Sequence, residues 1–109
     1  MEQTLSVWTD VGHLDDIPRL RSRVVTTPTV DIALFRTTDD RIFALHDICP
    51  HKAGKLSQGI VHGESVTCPL HNWEIGLTDG RAQGPDEGCT RVVPVRLENG
   101  RILLALGDA

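Results

Sequence analysis

The sequence predicts an all-β protein, an antiparallel sandwich or barrel. Three observations carry that expectation. Apolar residues recur in short runs with strand-like alternation, turn residues separate the runs, and almost no stretch keeps a helical period.

The elements follow in chain order. Leu5–Thr9 reads as the first strand, and Leu14–Ile17, stopped by Pro18, has room for one helical turn at most. Arg23–Thr26, Val30–Arg36 and Ile42–Asp47 are the next strands. Thr38-Asp39-Asp40, between Phe35 and Phe43, forms the turn of a hairpin. Gly59–His62 and Ser65–Thr67 pair around His62-Gly63-Glu64, and Trp73–Ile75 follows. Arg91–Leu97 and Arg101–Leu106 alternate on either side of Glu98-Asn99-Gly100, and an Asn-Gly pair so flanked is a strong hairpin signal. Glycine and proline gather at 49–59 and 84–88, which marks loops.

At 109 residues, with neither a repeat nor a linker, 1–109 is expected to be one domain. No apolar run is long enough for a membrane span, and MEQTLSVWTD lacks a secretory h-region, so no membrane and a cytoplasmic location are expected. A net charge of −4 argues against nucleic acid as a partner, and the basic run Arg19, Arg21, Arg23 is expected to be a solvated face. The three cysteines cannot all pair, so they read as ligands or buried residues rather than staples.

Two short stretches carry the chemistry. CPHKAGKL at 49–56 and CPLHNW at 68–73 each hold one cysteine and one histidine, giving C-x-H, sixteen residues, then C-x2-H. Cys49, His51, Cys68 and His71 are the candidate ligands. Pro50 and Pro69 fix φ directly after each cysteine and stiffen each loop. Three readings compete. Chance burial suits one such pair far better than two on a single hairpin. An S2N2 zinc site is chemically sound, but zinc fingers usually draw two cysteines from one knuckle and two histidines from another. A two-iron cluster lets each loop supply Cys to one iron and His to the other, which suits the alternating order. We take this third reading.

CPHKAGKL and CPLHNW resemble the two boxes of Rieske [2Fe–2S] proteins. That resemblance implies a Rieske-type antiparallel β-sandwich or barrel, with a small cluster-binding subdomain of two loops at about 47–76. It implies one [2Fe–2S] cluster per chain, with Cys49 and Cys68 on one iron and His51 and His71 on the other. The segments IALFRTTDDRIFALHDICPHKAGKLSQGIVHGESVTCPLHNWEI and AQGPDEGC, followed by VPVRL, resemble one branch in particular. That branch is the small subunits of assimilatory NAD(P)H-dependent nitrite reductase, and the likeness runs from Trp8 to Leu104. It implies an electron-transfer subunit with no catalytic residue of its own. Its partner would be a large flavin- and sirohaem-containing subunit that reduces nitrite to ammonia in nitrate assimilation. The alternatives are a Rieske-type ferredoxin feeding an aromatic-ring-hydroxylating oxygenase, and a zinc-stabilised interaction domain. The chain offers no Ser/His/Asp set, phosphate-cradling loop or nucleotide fingerprint.

The neighbours of the ligands refine this. Trp73 is expected to pack beneath the second box, Gly84-Pro85-Asp86 resembles the family's third, covering loop, and Cys89 is expected to be a buried thiol. His13, His46 and His62 are expected to be ordinary surface or hydrogen-bonded histidines, and Lys52 and Lys55 to solvate the first box. Respiratory Rieske proteins join their two boxes by a disulfide. Here Gly54 and Leu70 stand at the corresponding positions, so that brace is absent. Respiratory members also place serine and tyrosine hydroxyls near the cluster, whereas this chain has Trp73 after the second box and no tyrosine. Fewer hydroxyl donors leave the reduced state less stabilised. A redox titration at neutral pH should therefore give a midpoint nearer about −150 mV than about +300 mV; a clearly positive value would contradict this reading.

Overall fold

Ile32-Ala33-Leu34-Phe35 has no polar residue to turn toward water, and in the structure all four are at most 2% exposed. Successive side chains of a strand point to opposite faces, so this run must be dry on both sides. The computed structural model describes residues 8–28, 30–48, 55–68, 73–82 and 88–105. It places this run in β3 (Asp31–Arg36), paired antiparallel with β2 (Ser22–Thr26) and β4 (Ile42–His46). β8 (Val92–Val93) completes a middle sheet of order β2-β3-β4-β8.

Each face of that sheet is covered by a three-stranded antiparallel sheet. One is β5-β6-β7, formed by β5 (Ile60–His62), β6 (Ser65–Thr67) and β7 (Glu74–Gly76). Between it and the middle sheet, Ala33, Phe35 and Leu45 pack on Val61, Val66 and Ile75. The other is β1-β10-β9, formed by β1 (Trp8–His13), β9 (Val95–Glu98) and β10 (Arg101–Ala105). Here Ile32, Leu34 and Ala44 pack on Ile102 and Leu104. Burying a leucine- or phenylalanine-sized side chain contributes about 1.5–3 kcal/mol. The middle strands collect that contribution on both faces. No helix among the described residues is long and apolar enough to cross a membrane.

The all-β antiparallel expectation holds, and so do most elements to within a residue. Asn99 and Gly100 take φ of 53° and 81° and join β9 to β10 as a two-residue turn, with Glu98 opposite Arg101. Gly63 (φ 57°) and Glu64 join β5 to β6 as a second two-residue turn, with His62 opposite Ser65 and only Gly63 at positive φ. The single helical turn is a 3-10 turn at Leu14–Asp16. Two expectations change. β1 runs on to His13 through a bulge between Asp10 and Gly12, where Gly12 has φ 140°; positions 5–7 of the expected first strand lie outside the described residues. The expected strand Arg91–Leu97 is two strands. Pro94 has no N–H to continue a ladder, and the chain there leaves the middle sheet (β8) for the outer one (β9).

One ion-pair network fixes the turn between β3 and β4. Arg36 is 8% exposed, and its guanidinium donates to the carbonyls of Ile17 (2.8 Å) and Leu14 (3.2 Å) and to Asp40 Oδ1 (2.8 Å). Asp40, in the left-handed region at φ 66°, also accepts from Arg19 at 2.7 and 3.0 Å. All three nitrogens of the buried cation thus donate hydrogen bonds. The Arg19 guanidinium first, and Arg36 second, hold the Asp40 carboxyl well below its ordinary pKa of 3.8. A carboxyl lowered by folding stabilises the native state above its unfolded pKa. That contribution fades as pH falls toward the folded value. Asp40→Asn should therefore lower the urea midpoint at neutral pH, and its gap from the parent protein should close on acidification below about pH 4. A gap unchanged across that range would show that charge at Asp40 does not matter.

Candidate metal centre

Of the four expected ligands, Cys68 is among the described residues; Cys49, His51 and His71 lie outside them, with Lys52, Gly54, Leu70 and Gly84-Pro85-Asp86. Cys68 directly follows β6 and is 0% exposed, set in the core shared by Phe35, Leu56, Val66 and Leu77. Its N–H donates to the Trp73 carbonyl at 2.6 Å and closes the base of the loop 69–72. Trp73 is half-buried against the same core, in the packing role expected of it.

The strand register decides which loops share an edge. Ile60 lies opposite Thr67, and Thr67 opposite Glu74. The segment returning from 49–54 through Lys55 and the 3-10 turn Leu56–Gln58 therefore enters β5 beside Cys68. Ile75 pairs antiparallel with Ala82, which directs the chain beyond Ala82 toward Glu74 and the same edge. The Ala82 N–H then donates to Gly88 O at 2.9 Å and closes the base of 83–87. The described residues that lead out of the first box, into and out of the second, and into the proline-containing segment thus lie at one edge of the sheet β5-β6-β7.

Sequence reasoning missed the residue at which the flanks of the two boxes press together. It counted Gly59 both in the glycine- and proline-rich stretch 49–59 and as the first residue of the strand Gly59–His62. Gly59 has an extended backbone, with φ −83°. A Cβ there would lie 2.2 Å from Thr67 O and 2.9 Å from Val66 Cγ2. No side chain fits, because the return from the first box runs against the backbone that leads into Cys68. The signal was present only as a glycine directly before a short strand, and such glycines mark close backbone approach as often as turns.

The other histidines keep ordinary roles. His13 Nδ1 accepts the Asp15 N–H (3.0 Å) and caps the first 3-10 turn. His62 Nε2 lies 2.7 Å from Thr67 Oγ1. His46 is half-buried, and burial, aided by nearby Arg91, pushes its pKa down. Lys55 is exposed, 3.7 Å from Asp31. Cys89 differs from expectation: it is exposed. It bridges Arg81 at the sheet margin, and alternation sends buried Thr90 inward and Cys89 out.

A thiol at the dry base of three segments, with a neighbouring chain pressed close at Gly59, fits a sulfur-bridged metal cluster set into the protein edge. Comparisons with known proteins agree. The Rieske [2Fe-2S] domain model matches residues 7–94. The chain is 33% identical to the anthranilate 1,2-dioxygenase ferredoxin subunit of Burkholderia cepacia, across 97% of this chain and 98% of that one. It is 32% identical to the ferredoxin component of the naphthalene 1,2-dioxygenase/salicylate 5-hydroxylase systems of Ralstonia sp, across 91% and 95%. Among solved structures, it is similar to a Mycobacterium tuberculosis protein provisionally assigned as an NADH-dependent nitrite reductase small subunit. The TM-score is 0.86 at 26% identity, covering 97% of this chain and 100% of that one. The ferredoxin of carbazole 1,9a-dioxygenase from Nocardioides aromaticivorans IC177 shares the fold, with a TM-score of 0.82.

Gly59→Ala should force the two boxes apart. Overpacking of this kind costs about 1–3 kcal/mol. Lower iron and labile sulfide per chain, with a lower urea midpoint, is the expected result; full iron occupancy would show that the contact is dispensable.

Proposed function

The chain belongs to the Rieske [2Fe–2S] domain family, and from that premise we propose that it is the electron-transfer small subunit of an NAD(P)H-dependent nitrite reductase. The end-to-end likeness to the M. tuberculosis protein carries this reading. The segments SQGIVHGESVTCPLHNWEI and AQGPDEGC, which resemble that branch, support it. Residues 1–109 then form one Rieske domain whose cluster-binding part is about 47–76.

In this reading Cys49 and Cys68 hold one iron and His51 and His71 the other. The Rieske-type [2Fe–2S] cluster supplies one-electron acceptance and donation. The chain's own residues do the rest. The apolar wall around Cys68 excludes water from the sulfur side, and the Cys68–Trp73 backbone bond orients the second box. His51 and His71, as iron ligands, would each leave one ring nitrogen off the metal, able to hold or exchange a proton with solvent or a partner. On this reading substrate chemistry belongs to a large cytoplasmic subunit carrying flavin and sirohaem, and this chain serves it as an electron-transfer module.

A second reading has its own support. The B. cepacia and Ralstonia relatives are ferredoxins of oxygenase systems, and they align over nearly their whole lengths. On that reading the same edge delivers electrons to a ring-hydroxylating oxygenase. Family membership favours either of these over a zinc-stabilised interaction domain.

Affinity capture of the tagged chain from nitrate-grown cells separates the two. Co-purification of a protein with sirohaem absorbance, and of NAD(P)H-dependent nitrite reduction, is the expected outcome. Recovery of an oxygenase component in its place would transfer the assignment to the ferredoxin reading.

A further inference from the structure

We propose that Asp47 and Ser57 are positioning residues for the first Cys/His box, forming a hydrogen-bonded tie across its base. The proposal rests on the reading of Cys49 and His51 as ligands. It goes further by naming what holds their loop.

Asp47 follows β4 and is 5% exposed. Its Oδ1 accepts the Ser57 N–H at 2.7 Å, and its Oδ2 accepts the Ser57 hydroxyl at 2.8 Å. The tie therefore encloses 48–56, the whole of CPHKAGKL with one residue before it. Both ends are also fastened to the middle sheet. The Asp47 N–H donates to Asp31 O at 2.9 Å, and the Ser22 hydroxyl donates to Ser57 O at 2.5 Å. Leu56, beside Ser57, is 0% exposed in the same core as Cys68.

A side chain that merely caps a turn reaches two or three residues along the chain and commits one oxygen. Asp47 commits both oxygens to one residue ten positions away. Burying a polar group is costly unless its hydrogen bonds are made, so the geometry is over-determined rather than incidental. The tie differs from a disulfide between boxes in what it fixes. It holds one box to the middle sheet and leaves the second to the Cys68–Trp73 hairpin bond.

The test uses the cluster-loaded protein with Asp47→Ala, Ser57→Ala and Asp47→Asn. Asp47→Ala should lose its cluster to a chelator roughly tenfold faster, the kinetic equivalent of one to two lost hydrogen bonds. It should also change the visible circular dichroism of the cluster. Ser57→Ala, which keeps the backbone bond, should show a smaller effect in the same direction. It decides the matter if Asp47→Ala does not fold. Asp47→Asn retains an acceptor for the Ser57 N–H and an N–H for its hydroxyl, so it should restore both readouts. Unchanged dichroism and loss rate alongside a lowered denaturation midpoint would reduce the pair to a purely structural role and overturn the proposal. Hydrogen exchange on cluster-free protein adds an arm independent of the cofactor. Faster exchange of the Ser57 amide in Asp47→Ala supports the tie even if the electron-transfer reading fails, and unchanged exchange refutes the tie itself.

Discussion

The structure depends on one constraint: β3 and β4 must be kept dry on both faces. Ile32 and Leu34 point one way and Ala33 and Phe35 the other, so neither outer sheet alone buries the strand. Two sheets are therefore needed, and their assignments differ. The sheet β1-β10-β9 closes one core. The sheet β5-β6-β7 closes the other and also carries the edge where the described residues flanking both boxes and the proline-containing segment lie. Cys68 belongs at once to the apolar packing that holds the middle strands and to the proposed ligand set, so scaffold and site meet in a single side chain.

Among the described residues, that edge is held by non-covalent contacts between the flanks of the boxes. Asp47 and Ser57, on either side of the first, are fastened to the middle sheet, and Cys68 and Trp73, on either side of the second, are joined by a backbone hydrogen bond. The flanks meet through packing where Gly59 passes Thr67. Loops on a rigid scaffold suit the proposed site, in which His51 and His71 would face a partner. Here the rigidity comes from a buried polar tie, a close backbone approach and a shared apolar wall.

Much of this was legible in the residues. The two Cys/His boxes identified the family because a paired ligand pattern is chemically demanding. The Asn99-Gly100 and Gly63-Glu64 turns were readable because Asn99, Gly100 and Gly63 take left-handed φ, which asparagine and glycine tolerate. What was missed was nonlocal. Arg91–Leu97 reads as one strand because alternation says nothing about which sheet a strand joins, and the change at Pro94 is a tertiary event. Cys89 was expected inside because cysteine is commonly buried, yet the inward position belongs to its neighbour Thr90. Asp47 looked like the end of a strand, since its partner Ser57 stands across an intervening loop. Gly59 carried no sign of the Thr67 carbonyl that excludes a Cβ there.

The pairing of β1 with β10 orders events in time as well as space. These strands lie at opposite ends of the described chain, and Arg101 grips Asp10 across 91 positions. A contact of that separation forms late, because the loop it closes is the longest in the fold. The hairpins β3–β4 and β5–β6–β7 close over a handful of residues each. The edge that carries the candidate site therefore rests on local pairings, whereas the sheet that seals the opposite face of β3 depends on the most distant one among the described residues.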